Sequence, residues 1–302
     1  MPIRTGQFSQ LLAPGLRKIF FDKFNGLPTE YDKIANVDTS NRAYEEDYRM
    51  AGFGLWGTKT EGASTTYSDA LPGGTVRYTH AAFGLGYRIT REMYDDDLYG
   101  VMGKRMSEKL AWAGRETVEN EFAAVLNDAF TGSVFTGFDG LSLCNTSHTL
   151  LAGGTYANTP STQVTLSLTA LQAAVNSFEN CLSDEGLKIT VRPRLLIVSP
   201  SWKWVARELL NSEYKPYTAN NEINPLKEED LQYMVYHYLT SSDDWFLIAA
   251  PGQHDLNFLW RTKPEFHNSD DFDTGDAKYR GYMRFSCGFG DWRGVYGSSG
   301  AA

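Results

Sequence analysis

Five histidines could act as metal ligands or general bases, and each lies in a different segment of the chain. They are His80, His148, His237, His254 and His267. They show neither the HExxH motif nor the His/Cys spacing that zinc sites use. Ser147 precedes His148, but a Ser/His/Asp triad is assembled from distant segments, and the chain has no G-x-S-x-G elbow. We therefore assign no catalytic, metal-binding or cofactor-binding residue, and we expect a protein that is not an enzyme.

Two other segments resemble ligand-binding motifs in part, but each lacks features that the motif requires. Residues 52–57 read GFGLWG and match the dinucleotide-binding motif, yet a charged segment precedes them and no helix follows. Glycines that allow a flexible or bulged ribbon are the better interpretation. Residues 268–276 are rich in aspartate, but they lack the alternating acidic order and the closing glutamate of a calcium loop. We interpret them as a solvated turn before the last strand.

The composition limits the classes of protein to which the chain can belong. A chain of 302 residues that is 42% hydrophobic can bury a core, as one large domain or as two lobes. Its formal net charge of −9 argues against an extended surface that grips nucleic acid or an anionic membrane. Cys144, Cys181 and Cys287 are odd in number and form no CxxC pair, which indicates a reducing cytoplasm. We find neither a signal peptide nor a membrane span.

The longest periodic segment covers residues 90–130. Its apolar residues recur at steps of three to five and form one stripe, so we predict a single long helix. Thr90 suits the N-cap and Gly132 the stop signal, whereas Gly100 and Gly103 indicate a bend or a closely packed neighbour. Such a helix would be roughly 60 Å long, which exceeds what a compact domain of this size needs.

The two segments before this helix are expected to pack on other surfaces instead of folding by themselves. Residues 1–48 contain short apolar patches broken by glycine and proline, too fragmented for a domain and too apolar for a free tail. Residues 49–89 are rich in Gly, Thr and Ser, with strand-like runs at 55–60 and 75–80 that predict a long exposed β-hairpin with its tip near 69–74. A two-stranded ribbon is marginally stable alone, so we expect another subunit to support it.

The second half of the chain predicts helices packed against strands. A helix with apolar residues at three-four spacing covers 168–182, and a buried strand follows at 192–198. Ser199 and Pro200 predict the start of the next helix. Further strands are expected at 231–240, 245–250 and 257–260, and a last strand at 278–289, where apolar residues alternate with basic ones.

The order of these segments resembles that of the major capsid proteins of tailed bacteriophages. ITREMYDDDLYG opens the long helix, DG and SHTLLAGG follow it, and RPRLLIVSPSWKWVARELLNSE supplies a strand and a helix. The resemblance covers nearly the whole chain and is closest to the Mu-like major head subunit group. It implies an α+β structure of the Hong Kong 97 type. Its most specific stretches are 87–100, 139–154, 191–213 and 278–297.

The resemblance also implies a division of the chain into the parts of that fold. In such a fold the E-loop lies across a neighbouring subunit, and loops of the A domain meet at the centre of hexamers and pentamers. The implied parts are the N-arm (1–48), the E-loop (49–89), the P domain (90–194 and 257–302, with spine helix 90–130) and the A domain (195–256). The candidate inter-subunit contact residues are Leu55, Trp56, Lys59, Glu61, Tyr67, Arg77 and Tyr78.

The function that the resemblance implies is that of a virion component. Copies of the chain would assemble in the host cell cytoplasm into hexamers and pentamers of an icosahedral capsid that encloses double-stranded DNA without sequence-specific binding. A separate scaffolding protein and a portal are the expected partners, and neither a membrane nor a cofactor is expected. Two alternatives stay open. One is an encapsulin-like protein shell, and the other is a cytoplasmic enzyme whose scattered aspartates and histidines converge on a metal ion.

Capsid proteins of this kind differ in crosslinking and in processing. Some form an isopeptide bond between an E-loop lysine and a neighbour's asparagine, assisted by a glutamate. Lys59 is the only lysine of residues 49–89, and neither partner can be matched to it from the sequence. Others lose a long N-terminal scaffolding region to a protease. Because this chain has an initiator methionine and a short arm, we expect a separate scaffold and little or no cleavage.

Overall fold

The computed structural model describes residues 9–67, 69–96, 101–216, 222–271 and 274–300. In these ranges the chain mixes helices and strands, as predicted for an α+β protein. The helices are α1 (Ser9–Gly26), α2 (Arg91–Asp96), α3 (Val101–Asn127), α4 (Leu168–Glu179) and α5 (Lys203–Asn211). The strands are β1 (Asn36–Thr39), β2 (Tyr44–Met50), β3 (Pro72–Thr79), β4 (Ala81–Ile89), β5 (His148–Thr149), β6 (Thr155–Tyr156), β7 (Pro193–Val198), β8 (Gln232–Val235), β9 (Trp245–Ala249), β10 (Leu256–Asp270), β11 (Ala277–Phe289) and β12 (Val295–Ser298).

The first sheet has the strand order β1-β10-β11-β4. β1 runs parallel to β10, and the other neighbours are antiparallel. Along β11, Tyr279, Met283 and Phe285 are buried whereas Lys278 and Arg280 face solvent, so the predicted alternation of the last strand is confirmed. β10 continues far beyond the predicted end of its strand because β11 offers it a hydrogen-bonding partner along its length. In the aspartate-rich segment, β10 ends at Asp270 and β11 begins at Ala277, and residues 272–273 of the predicted turn lie outside the described part of the chain.

The second sheet has the order β12-β9-β7-β8 and is buried on both faces. Its central strands read PRLLIV and WFLIA, continuous apolar runs of the kind that a sheet covered on both sides requires. Leu196 and Leu247 pack with α4 and α5, whereas Ile197 and Phe246 pack with α3 and the first sheet. The predicted packing of helices against this strand region is confirmed. β12 pairs with β9. It therefore belongs to the second sheet, whereas β10 and β11, which precede it in the chain, belong to the first.

The predicted long helix is found as α2 and α3, and residues 97–100 between them lie outside the described part of the chain. Thr90 Oγ1 accepts a hydrogen bond from Met93 N at 3.3 Å, as an N-cap does. α3 ends at Asn127, earlier than predicted, because the Asp128 carboxylate organises the following turn, in which Gly132 has a φ of 61°. The donors to Asp128 are the hydroxyls of Thr131 and Ser133 and the amides of Ser133, Val134 and Phe135.

The N-terminal segment contains a regular helix, so the prediction of short fragments is wrong for residues 9–26. α1 buries Phe20 and Phe24 against α3 and the first sheet. Its apolar residues recur at the helical period, and this local pattern outweighs the proline and glycine near its start. Gly103 of α3 lies against Leu16, where an added Cβ would be 3.5 Å away, so the predicted close neighbour of this glycine is an element of the same chain.

The antiparallel pair of β2 and β3, which we call the ribbon, differs from the predicted hairpin. β2 pairs with β3 in antiparallel register, with Tyr44 opposite Thr79 and Tyr48 opposite Thr75. The predicted strand at 55–60 is wrong for the isolated chain, because residues 51–71 form no strand in their described part. Strand formation needs a partner as well as suitable residues, and β3 is already paired with β2 on one side. β4, which follows β3 directly, leaves the ribbon and joins the first sheet beside β11.

Two other boundaries differ from the prediction for local reasons. β8 spans only Gln232–Val235: the Tyr236 amide still donates to the Val198 carbonyl oxygen, whereas the next amide, that of His237, donates to the Glu30 carboxylate at 3.1 Å instead of to a strand. Ser199 precedes a short 3₁₀ turn rather than capping α5, and its hydroxyl donates to the Ser242 carbonyl oxygen.

Candidate assembly surface

The loop of residues 51–71, at the end of the β2–β3 ribbon, exposes large apolar side chains that its own chain does not cover. Trp56 is 97% exposed, Tyr67 is 92% exposed and Leu55 is 85% exposed. Lys59 and Glu61 are exposed on the same loop. Five of the seven candidate contact residues therefore lie together on one accessible segment. Clustered apolar exposure of this kind marks an interaction surface, because it costs free energy in water.

The other two candidates lie on β3 and differ from each other. Arg77 is accessible, pairs with Glu46 at 2.5 Å, and stacks over the Tyr44 ring with 4.3 Å from its guanidinium carbon to the ring centroid. Tyr78 is only 3% exposed, and its ring packs beside Gly288 of β11. Burial raises the pKa of the Tyr78 hydroxyl. Arg77 is thus available to a neighbour at the surface of the ribbon, whereas Tyr78 fastens the ribbon to the first sheet.

The root of the ribbon is held by a buried ion-pair network that the sequence analysis did not find. Arg49 at the end of β2 binds both carboxylate oxygens of Asp184, with 2.7 Å from Nε to Oδ2. Arg293 Nη2 lies 2.8 Å from Asp184 Oδ1, and its Nη1 lies 2.8 Å from Asp291 Oδ2. Asp184 therefore joins the ribbon to the segment that precedes β12. Burial, followed by the charge of Arg293, lowers the pKa of Arg49.

The ribbon also makes a close contact with Phe138, in the segment after α3. A Cβ on Gly74 of β3 would lie 1.9 Å from the Phe138 carbonyl oxygen, a distance that no side chain tolerates. Gly73 faces Arg49 in the same way, with 2.9 Å from the added Cβ to the arginine Cβ. These two glycines, which the sequence analysis placed at the hairpin tip, instead allow the close approach that seats the ribbon.

A second buried polar cluster lies in the same region and contains His148, one of the five histidines considered in the sequence analysis. His148 Nδ1 is 2.6 Å from Asp139 Oδ2, and its Nε2 is 3.0 Å from Asn158 Oδ1. The His148 ring stacks on Trp292 at 4.5 Å between centroids. Burial raises the pKa of Asp139, but the hydrogen bond and charge of His148 outweigh it, and the net shift is downward. Both ring nitrogens are thus occupied within the core.

This arrangement does not make the nucleophile-activating geometry of a hydrolase. Ser147 is exposed, and both nitrogens of the adjacent His148 are committed to Asp139 and Asn158. Asn158 donates to the carbonyl oxygens of Leu143 and Val295, so the cluster ties the loop after α3 to β12. Its role in the described chain is to hold segments together.

Metal ligands do not converge in the part of the chain that the structure describes. No group of three or more His, Cys, Asp or Glu side chains there could hold an ion. His237 lies 2.6 Å from Glu30, and His267 lies 3.0 Å from Glu265, so these two histidines form pairs with single carboxylates. None of the described helices combines the length and the apolar character that crossing a membrane requires.

Most of the chain matches one protein family. The model of the family described as phage capsid protein matches residues 73–298, roughly three quarters of the sequence. That range contains the first sheet apart from β1, the whole second sheet and α2 to α5. No curated protein matches the chain.

Solved capsid structures share the fold at low sequence identity. The procapsid of bacteriophage JBD30 is 18% identical, with a TM-score of 0.53 over 98% of this chain and 76% of that chain. The JBD30 capsid decorated with minor capsid protein trimers is 15% identical, with a TM-score of 0.58 over 71% of this chain and 92% of that chain. The virus-like particle from Pyrococcus furiosus is 11% identical, with a TM-score of 0.53 over 94% of this chain and 98% of that chain.

These matches agree with the architecture built up above. Two sheets, a long core helix and a projecting ribbon occur in one chain, as the α+β fold of the Hong Kong 97 type requires. The comparisons support the family prediction without testing the Mu-like subgroup. The chain belongs to the phage capsid protein family, and its function is that of a capsid shell protein.

Proposed function

We propose that the protein is the major head subunit of a tailed phage of the Mu-like group and that it works by assembly, without catalytic turnover. Copies would form hexamers and pentamers of a closed shell around double-stranded DNA. The exposed apolar loop of residues 51–71 is the observation that supports this proposal. An isolated chain leaves these side chains in water, whereas a shell in which each loop lies on the next subunit buries them.

The loop is large enough to contribute much of one subunit contact. Phe53, Trp56 and Tyr67 are all exposed. Aromatic side chains bury about 150–250 Å² each, and a standard interface buries about 800 Å² per partner. The three rings together would therefore supply more than half of the area that one partner contributes. The charged candidates, Lys59, Glu61 and Arg77, would lie at the polar rim of the contact.

The other partners follow from the same proposal. A scaffolding protein would direct shell curvature, a portal would occupy one vertex, and assembly would take place in the host cytoplasm. The net charge of −9 fits a wall that confines DNA by its geometry rather than by neutralising many phosphates. The division into N-arm, E-loop, P domain and A domain belongs to this proposal as well.

Electron microscopy and light scattering of the expressed chain, with and without a co-expressed scaffold, test the proposal. We expect closed shells or hexameric and pentameric rings. Trp56→Ser should abolish assembly, whereas Trp56→Phe should preserve it, because phenylalanine keeps an apolar ring at the contact. A wild-type chain that stays monomeric or dimeric under both conditions would contradict the proposed function.

A shell with contents other than DNA is the second candidate, since the fold is also similar to that of the virus-like particle from Pyrococcus furiosus. Particles isolated from a natural host distinguish the two candidates. Nuclease-protected double-stranded DNA of genome length supports a phage head. Particles that protect protein cargo and no DNA support the alternative.

A further inference from the structure

α1 and the first half of α3 run side by side in the same direction. An added Cβ on Gly103 would lie 3.5 Å from Leu16, and one on Gly114 would lie 3.5 Å from Phe24. The early parts of the two helices therefore meet at the first contact, and their later parts meet at the second. Buried residues of both helices belong to one apolar cluster. The stretches between the two contacts form one region of the surface.

This region carries an excess of positive charge that the chain itself does not neutralise. Its exposed basic side chains, which we call the basic patch, are Arg17, Lys18, Lys23, Lys104, Arg105 and Lys109. The segments that carry them, 17–23 and 104–109, contain only two acidic residues, Asp22 and Glu108. None of the six basic residues forms an ion pair within the part of the chain that the structure describes. Acidic residues outnumber basic ones in the chain by 37 to 28, so the patch stays unpaired although anions are plentiful.

The α3 half of the patch has an exposed aromatic ring on the same face. Arg105, Lys109 and Trp112 are spaced by four and three residues, which places them on one side of a helix. Trp112 is 54% exposed. Its indole offers a flat apolar surface and an N–H donor next to two cations. Such a set of donors suits an anion, because hydrogen bonds between charged groups are stronger than neutral ones.

We infer that the basic patch binds the phosphate backbone of double-stranded DNA inside the proposed shell. The inference rests on the proposed function and names the site at which each subunit meets the DNA. The two contact residues of α1, Leu16 and Phe24, are eight positions apart, which corresponds to about 12 Å of helix. A duplex of that length carries about seven phosphates, which is close to the six cations of the patch. Phosphate contacts carry no sequence information, so the site accepts any duplex.

A compact patch is compatible with the acidic character of the whole chain. The formal net charge is −9, so the surface outside the patch is more acidic than the average and repels DNA. DNA would therefore touch the wall at one site per subunit instead of adhering to it throughout. Each contact is weak at physiological salt, but many identical copies hold the same duplex, and their contributions add.

Duplex binding by the unassembled full chain tests the inference. Fluorescence anisotropy of a labelled duplex gives the affinity between about 50 and 200 mM NaCl. The logarithm of the binding constant should fall with the logarithm of salt at a slope of about −5, since six phosphates release their counterions. Glutamine at the three cations of α3, Lys104, Arg105 and Lys109, should reduce the slope to about −3 and weaken binding by at least about tenfold. Glutamine is a good helix former, so the thermal unfolding of this variant should not change.

The matched control replaces three exposed cations elsewhere in the chain by glutamine, at Arg192, Arg194 and Lys203. It removes the same charge and should leave the salt slope unchanged. Equal losses in both variants would show that DNA responds to the net charge of the chain, and would overturn the inference. Poly-glutamate that binds more tightly than the duplex at the same salt concentration would also overturn it, because the patch would then fit an acidic protein segment.

The indole of Trp112 reports where the duplex lies. Acrylamide quenches exposed tryptophans, and the difference in quenching between the natural chain and Trp112→Phe isolates this residue. We expect the duplex to reduce that difference, since DNA on the patch covers the ring. A bound duplex that leaves the quenching of Trp112 unchanged would place DNA on another surface and contradict the inference.

Failure of the inference and failure of the proposed function give different results. Natural chains that form shells, but bind no duplex as unassembled subunits at about 50 mM NaCl, would contradict the basic patch as a DNA site and leave the proposed function intact. A natural chain that forms no shell, with or without a scaffold, would contradict both.

Discussion

Asp184 is the residue on which the seating of the ribbon depends most directly. Its carboxylate binds Arg49 from the ribbon and Arg293 from the segment before β12, and all three side chains are largely buried. Removing one partner of a buried ion pair leaves charge without compensation, which costs more than the pair itself contributes. One carboxylate shared between two arginines therefore helps to hold the root of the ribbon, together with Tyr78 and the close contacts of Gly73 and Gly74.

Asp184→Asn should lower the free energy of unfolding by about 3 kcal/mol, because two buried guanidinium groups lose their shared anion. Urea denaturation of the unassembled chain measures the change. Glu46→Gln is the matched control, since it breaks the exposed pair with Arg77 and should leave the urea midpoint unchanged. Equal effects of the two substitutions would show that the buried network has no special role in stability.

His254 should give the protein a dependence of stability on pH. Burial lowers the pKa of His254 from its ordinary value of 6.5 to about 4. Between these two values the unfolded chain binds more protons than the folded chain, so stability rises with pH across this window. The contribution is fully present above pH 6.5 and is lost as the pH falls towards 4. A shift of this size corresponds to about 3 kcal/mol.

His254→Gln should flatten this part of the profile. The measurement is the free energy of unfolding at pH values from 4 to 7, compared between the natural chain and the variant. Other titrating groups affect both proteins alike, so the difference between the profiles isolates His254. A difference that stays constant with pH would contradict the assigned burial of the neutral ring.

At the scale of elements, α3 contains a glycine that its backbone does not require. Gly114 lies in the middle of the helix, and an added Cβ would meet Phe24 at 3.5 Å, an ordinary contact distance. Glycine costs about 1 kcal/mol relative to alanine in a helix interior. Gly114→Ala should therefore stabilise the unassembled chain by about 0.5–1 kcal/mol in thermal or urea unfolding.

Gly74→Ala provides the opposite case, since the added Cβ would collide with the Phe138 carbonyl oxygen. This substitution should destabilise the ribbon root and increase proteolytic cleavage within residues 51–71. If Gly74→Ala left stability and proteolytic cleavage unchanged, the close contact of β3 with Phe138 would be contradicted.

The elements with a regular pattern were predictable, and those defined by a partner were not. The stripe of α3 and the alternation of β11 follow from burial on one side, which leaves a period in the sequence. The pairing of β2 with β3 joins residues about thirty positions apart and leaves no local period. For the same reason, Arg49, Asp184 and Arg293 could be seen in the sequence only as separate charged residues.

At the scale of the whole molecule, assembly should respond to salts as an apolar process does. The loop of residues 51–71 exposes five large apolar side chains, those of Phe53, Leu55, Trp56, Tyr67 and Leu71, and carries only three charged residues. Excluded salts such as sulfate strengthen apolar burial, so ammonium sulfate should lower the protein concentration at which shells form. Light scattering at equal ionic strength with sulfate and with chloride measures this. A loss of assembly in sulfate would indicate that charge contacts dominate instead.

The sequence by itself determined the segments that form the core helix and the central strands, and its resemblance to a known family implied the family and the α+β class. It did so because apolar periodicity and the order of segments are properties of the chain that need no partner. Only the tertiary structure decided that α1 packs on α3, that Asp139 meets His148, and that β12 returns to the second sheet. These contacts join distant segments, and their energy depends on which surfaces meet after folding. The strand expected at 55–60 needs a partner that the isolated chain does not offer.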